Sequence, residues 1–175
     1  MKMTRGVVPK RLRDLVKLLG SLQRLQGQLL TLVQSKIDAM KRADFPAMRD
    51  LNDQEQAVVK RLQERDGFRR QLVDAIGEEL GLPPRSARAL PVSQLAARLP
   101  EPGRTDLLDA AGKLRRAVSR VAQANRVAGA VSREILNHLK WVFASVRPGE
   151  EKPVGYSGQG VPVGPCETRI LETVG

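Results

Sequence analysis

Apolar and small residues recur along residues 107–146 at alternating steps of four and three: Leu107, Ala111, Leu114, Val118, Val121, Asn125, Ala128, Ser132, Ile135, Leu139, Val142 and Val146. This is the heptad rule for a helix packed along its length against other helices. No proline interrupts the run. At 1.5 Å per residue the segment is roughly 60 Å long, well beyond an ordinary globular helix. A helix of that length presents surface rather than a pocket, and favours protein binding as the function class. Asn125, inside the seam, reads as a polar residue that fixes register.

Two more helices precede it. Leu12, Leu15, Leu18, Leu19, Leu22, Leu25, Leu29, Leu32, Val33, Ile37 and Met40 fall in one broad arc of a helix over 9–42. Gly20 and Gly27 fall on the opposite face, and Pro9 sits near the first turn, where its missing N–H is harmless. Asp44 and Pro46 then mark the start of a second helix over 46–80, with Asp44 as its cap. The connection is short, which predicts an antiparallel hairpin.

The seam of the second helix is Met48, Leu51, Glu55, Val58, Leu62, Arg65, Arg69, Leu72 and Ile76. Its three charged members predict an offset partner or a partly exposed middle. Gly81-Leu82-Pro83-Pro84 ends the hairpin, and a proline-rich linker over 81–103 follows, with a short helix between Pro91 and Pro100. Thr105 is the expected cap of the last helix, 104–146, with Asp106 and Asp109 complementing its dipole.

Nine of the nineteen residues from Arg147 to Pro165 are Pro or Gly, which predicts no packed element there. The expected organisation is therefore all-α. A bundle or coiled coil of three main helices, elongated and antiparallel, occupies 1–146, and a flexible tail occupies 147–175.

Composition narrows the partners. Thirty Lys and Arg against nineteen Asp and Glu give a formal charge of +11, which suits nucleic acid, an acidic partner or an anionic surface. Arg115, Arg116, Arg120 and Arg126 could track phosphates, yet aromatics make up only 3% of the chain and no nucleic-acid module is present. Nucleic acid is the alternative reading. With one cysteine, Cys166, no disulfide forms within the chain, which suits a reducing, cytoplasmic setting. No apolar run reaches membrane-spanning length, and the basic start lacks the pattern of a secretory signal.

Catalytic chemistry has little to work with. His138 is the only imidazole, and Glu134 one turn earlier adds only a second ligand, too few for a metal. Gly155 to Gly160 lacks the Gly-Lys-Ser/Thr of a phosphate loop. Neither an enzyme nor a cofactor is expected. Trp141, the only tryptophan, lies about 140° from the centre of the seam and is a candidate anchor for a protein partner.

The layout resembles the FlgN-type flagellar export chaperones. The stretch from Lys36 to Leu82 carries the acidic-aromatic turn at Asp44-Phe45, the Glu55-Gln56 pair and an arginine at Arg69 or Arg70. Ala124-Asn125-Arg126 resembles the family's asparagine-bearing stretch, and Tyr156 to Gly160 its Tyr-x-x-x-Gly element. Ala128 and Gly129 stand where family members commonly repeat the asparagine. The resemblance implies a cytoplasmic chaperone without ATPase activity that holds the hook–filament junction proteins FlgK and FlgL and delivers them to the export gate. It places cargo binding toward the last helix and tail. Ile135, Leu139, Val142, Phe143 and Val146 are then the apolar contacts, Trp141 the anchor and Tyr156 the residue offered to the export machinery. Self-association is the further partner the long seam allows.

Overall fold

Leucines spread over a broad arc need two neighbours to cover them, and the first helix has two. In the computed structural model, which describes residues 7–83, 86–146, 155–156 and 162–163, the helices are α1 (Val7–Lys41), α2 (Phe45–Glu79), α3 (Ser86–Ala89), α4 (Val92–Ala97) and α5 (Gly103–Val146). Among the described residues the chain is all-α apart from one two-residue antiparallel ladder, β1 (Gly155–Tyr156) with β2 (Pro162–Val163). That ladder lies where the Pro/Gly content predicts no packed element. The rest of the expected tail lies outside the described residues.

The chain forms two compact units, Met1–Arg133 and Glu134–Gly175. In the first, Arg11 meets Glu79 at 2.5 Å and Lys36 meets Glu55. The first pair lies far from the α1–α2 turn and the second near it, so the helices run antiparallel. Glu55 on the predicted seam is thereby explained: it is a mostly buried carboxylate answered by a lysine across the pair. Arg65 is exposed and Arg69 turns to Asp66, which leaves the middle of α2 open to solvent on that side.

Two apolar cores follow. One joins Leu12, Leu15, Leu19 and Leu22 of α1 to Val73 and Ile76 of α2, Leu95, Ala96 and Leu99 around α4, and Leu107 of α5. The other joins Leu29, Val33 and Ile37 to Val58, Val121 and Ala128. Leu107 thus sits with the start of α1, and Ala128 with its later turns. Up to Arg133, α5 therefore runs parallel to α1. The linker is no loose connection, because Ala87, Leu95, Ala96 and Leu99 are all buried in the first core. Gly77 lets α3 approach closely, since a side chain there would overlap Ala87.

The α5 seam corrects the sequence pattern. The column Leu107, Leu114, Val121 and Ala128 faces inward, as expected. Its companion is Ala110, Ala117, Ala124 and Val131, which are half-buried, whereas Val118 and Asn125 are exposed. Facing the alanine column inward avoids burying the amide of Asn125, which would need a partner there. Asn125 therefore fixes no register.

Short-range polar groups close the turns. The amide of Asp44 donates to Ala39 and that of Ala43 to Met40, and Asp44 in turn caps α2 by accepting from the Ala47 amide at 3.1 Å. Gly81 ends α2 in the same manner: Leu82 donates to Gly77 and Gly81 to Glu78. The start of α5 differs from expectation. Thr105 lies inside the helix, and the Glu101 carboxylate accepts from both its amide and its hydroxyl.

Two measurements test these locks. Ala43 has φ +54°, a left-handed conformation that costs a side chain about 1 kcal/mol. Ala43→Gly should therefore raise the unfolding free energy by about 0.5–1 kcal/mol in denaturant titration, and a loss would contradict the turn. Partial burial of Asp66 pushes its carboxyl up, but hydrogen bonds and charge from Arg69 and Arg70 outweigh this and hold it below the ordinary 3.8. A carboxylate with a depressed folded pKa stabilises above its unfolded pKa, and loses that contribution as pH falls through the folded value. The melting-temperature gap between the wild type and Asp66→Asn should thus be present at neutral pH and close on acidification below about pH 4.

Candidate partner-binding site on the last helix

The last turns of α5, from Glu134 to Val146, carry the candidate residues. At 100° per residue, Ile135, Leu136, Leu139, Val142 and Phe143 fall within an arc of about 120°. Ile135 and Val142 are half-buried at one edge of that arc. Leu139 is 39% exposed, Leu136 54% and Phe143 70%. Val146 ends the helix, and its side chain lies outside those described. The expected apolar set is therefore brought to one face. Leu136 belongs to it as well and was missed, although its place three residues before Leu139 and seven before Phe143 was open to the same angular count.

Trp141 stands apart. It is 67% exposed and lies on a different side of the helix from Leu136 and Phe143. Its indole stacks on the His138 imidazole, with ring centroids 6.3 Å apart and planes 24° from parallel. This occupies the one histidine with a structural neighbour. Ser145 donates its hydroxyl proton to the Trp141 carbonyl at 2.9 Å, bonding back one turn. Tyr156 lies in β1 opposite Pro162, and its side chain is outside those described.

What such a surface can do is bury apolar area. Each large side chain taken fully out of water contributes about 1.5–3 kcal/mol, and an exposed tryptophan adds a donor at the rim. No described helix is long and apolar enough to cross a membrane.

A family model described as FlgN protein matches residues 3–163, which span every helix and both short strands. The chain belongs to the FlgN family. FlgN proteins are flagellar export chaperones, and the all-α fold agrees with that role. No curated protein and no solved structure matches the chain.

For this FlgN-family chain, exposure and core membership predict opposite responses to truncation. Leu107→Ala should cost about 2–5 kcal/mol of unfolding free energy, since Leu107 is 2% exposed within the first core. Phe143→Ala should stay within about 0.5 kcal/mol of wild type. Equal losses in thermal denaturation would show that Phe143 is a core residue.

Proposed function

We propose that the chain holds the terminal segments of hook–filament junction proteins of the FlgK and FlgL kind in the cytoplasm and delivers them to the flagellar export gate. The observation that supports this most is the presence of Leu136, Leu139, Trp141 and Phe143, all exposed, on the last turns of a helix in a FlgN-family chain. Cargo segments that form amphipathic helices only on binding would lay their apolar face along this arc. Ile135, Leu139, Val142, Phe143 and Val146 supply the apolar contacts, and Trp141 is the anchor, on the neighbouring side of the helix. Residues 1–146 act as the helical body, and 147–175 form the segment that offers Tyr156 to the export machinery.

Holding cargo this way needs no nucleotide. Burial provides the affinity, and ordering of the cargo offsets part of it, which leaves a complex that the gate can undo. The absence of any possible internal disulfide suits a reducing compartment.

Calorimetric titration of the full chain with the terminal segment of a hook-junction protein tests the reading. The wild type should bind one to one, with affinity changing less than about threefold between 0.15 and 0.5 M salt, because apolar burial rather than charge drives the complex. Leu139→Asp with Phe143→Asp should weaken it at least about tenfold, the loss of about 1.4 kcal/mol. Unchanged binding by that double variant, with helicity intact, would sink the site. Tyr156→Ala should keep cargo binding and reduce export.

A further inference from the structure

Between Ala110 and Arg133, α5 carries Lys113, Arg115, Arg116, Arg120, Arg126 and Arg133 and not one Asp or Glu. These twenty-four residues therefore supply +6 of the +11 net charge of the chain. All six side chains are exposed. Lys113 pairs with Asp109, but among the described residues none of the five arginines is in an ion pair. Elsewhere several basic residues do answer acids: Arg69 and Arg70 share Asp66, Arg88 pairs with Asp74 and Arg11 with Glu79.

We infer that this stretch of α5 is a docking surface for an acidic amphipathic helix of a protein partner, separate from the apolar turns beyond it. Three observations select that occupant. Arg115, Arg126 and Arg133 are eleven and seven residues apart, the two intervals at which a helix returns to the same line beside a second helix. Val127, 47% exposed, points between Arg116 and Arg120 and offers apolar contact that a phosphate backbone has no use for. No aromatic residue occurs from Ala110 to Arg133, so there is nothing on which a nucleic-acid base would stack.

The choice of arginine over lysine fits the same partner. A guanidinium binds carboxylate through two parallel hydrogen bonds, which sets orientation as well as charge. The Arg116 and Arg133 guanidinium groups lie back along the helix over Gly112 and Gly129, one turn earlier. Arg116 and Arg120, one turn apart, repel each other in the free protein, and acidic side chains of a partner relieve that repulsion.

The test uses the full chain and a synthetic helical peptide with leucines at heptad spacing flanked by glutamates, compared with a twin flanked by lysines. Fluorescence anisotropy should show the glutamate peptide binding at least about tenfold tighter than its twin, with the preference falling as salt rises. The triple change Arg115→Ser, Arg126→Ser and Arg133→Ser should abolish the preference. Arg13→Ser, Arg49→Ser and Lys60→Ser, which remove equal charge from exposed positions on α1 and α2, should reduce it less than threefold. Leu139→Asp with Phe143→Asp should leave it intact, which separates this surface from the cargo site. Equal losses from the two triple variants would reduce the effect to net charge and overturn the proposal. Loss with Leu139 and Phe143 would overturn it too. So would tighter binding of a twenty-base-pair DNA duplex than of the glutamate peptide, abolished by the arginine triple.

Discussion

Burial of the α1 leucines is the constraint on which the rest of the fold depends. Their arc is too broad for one neighbour, so α2 covers one flank and α5 the other, and both apolar cores draw residues from all three helices. The antiparallel return of α2 and the parallel run of α5 up to Arg133 both follow from this requirement. So does the buried linker, since a crossover from the end of α2 back to the start of α5 passes over the end of the first core. Leu95, Ala96 and Leu99 close that end.

Polar chemistry in the first unit adds direction to that burial. Lys36 with Glu55 and Arg11 with Glu79 sit at opposite ends of the α1–α2 pair and penalise a slipped register, because sliding would strand a half-buried carboxylate. Asp44 serves two helices, completing the end of α1 with its amide and opening α2 with its carboxylate. A connection so short leaves α2 little freedom to choose another direction. Stability is thus concentrated in α1, α2 and the buried face of α5 up to Arg133, and the exposed side chains of α5 are free to carry function.

The exposed side chains of α5 change character along the helix. From Ala110 to Arg133 they are rich in arginine with no acids among them, and from Leu136 to Phe143 they include large apolar residues. An export chaperone needs to meet its partner quickly and release it without a nucleotide. Charge favours encounter and orientation, while apolar burial favours residence. Under the two proposals made for α5, its arginine-rich and apolar regions divide along those lines.

The helices and their limits were legible in the sequence, because period, caps and prolines act over a few residues. The expected spans 9–42, 46–80 and 104–146 differ from α1, α2 and α5 by no more than two residues at any end. The Asp44 cap and the exposure of Trp141 were legible for the same reason. Family membership was visible too, since it rests on the order of such local features. Which flank of α5 turns inward was not. Leu107, Leu114, Val121 and Ala128 have small residues on both sides, Ala110 to Val131 on one and Ala111 to Ser132 on the other, so heptad spacing alone admits either. The choice is made where α1 and α2 meet α5, and it falls on the side that packs Ala110, Ala124 and Val131 against the cores and leaves Asn125 exposed. The cap of α5 was decided in the same manner, by Glu101 rather than Thr105, because the path of the linker brings that carboxylate over the first turn.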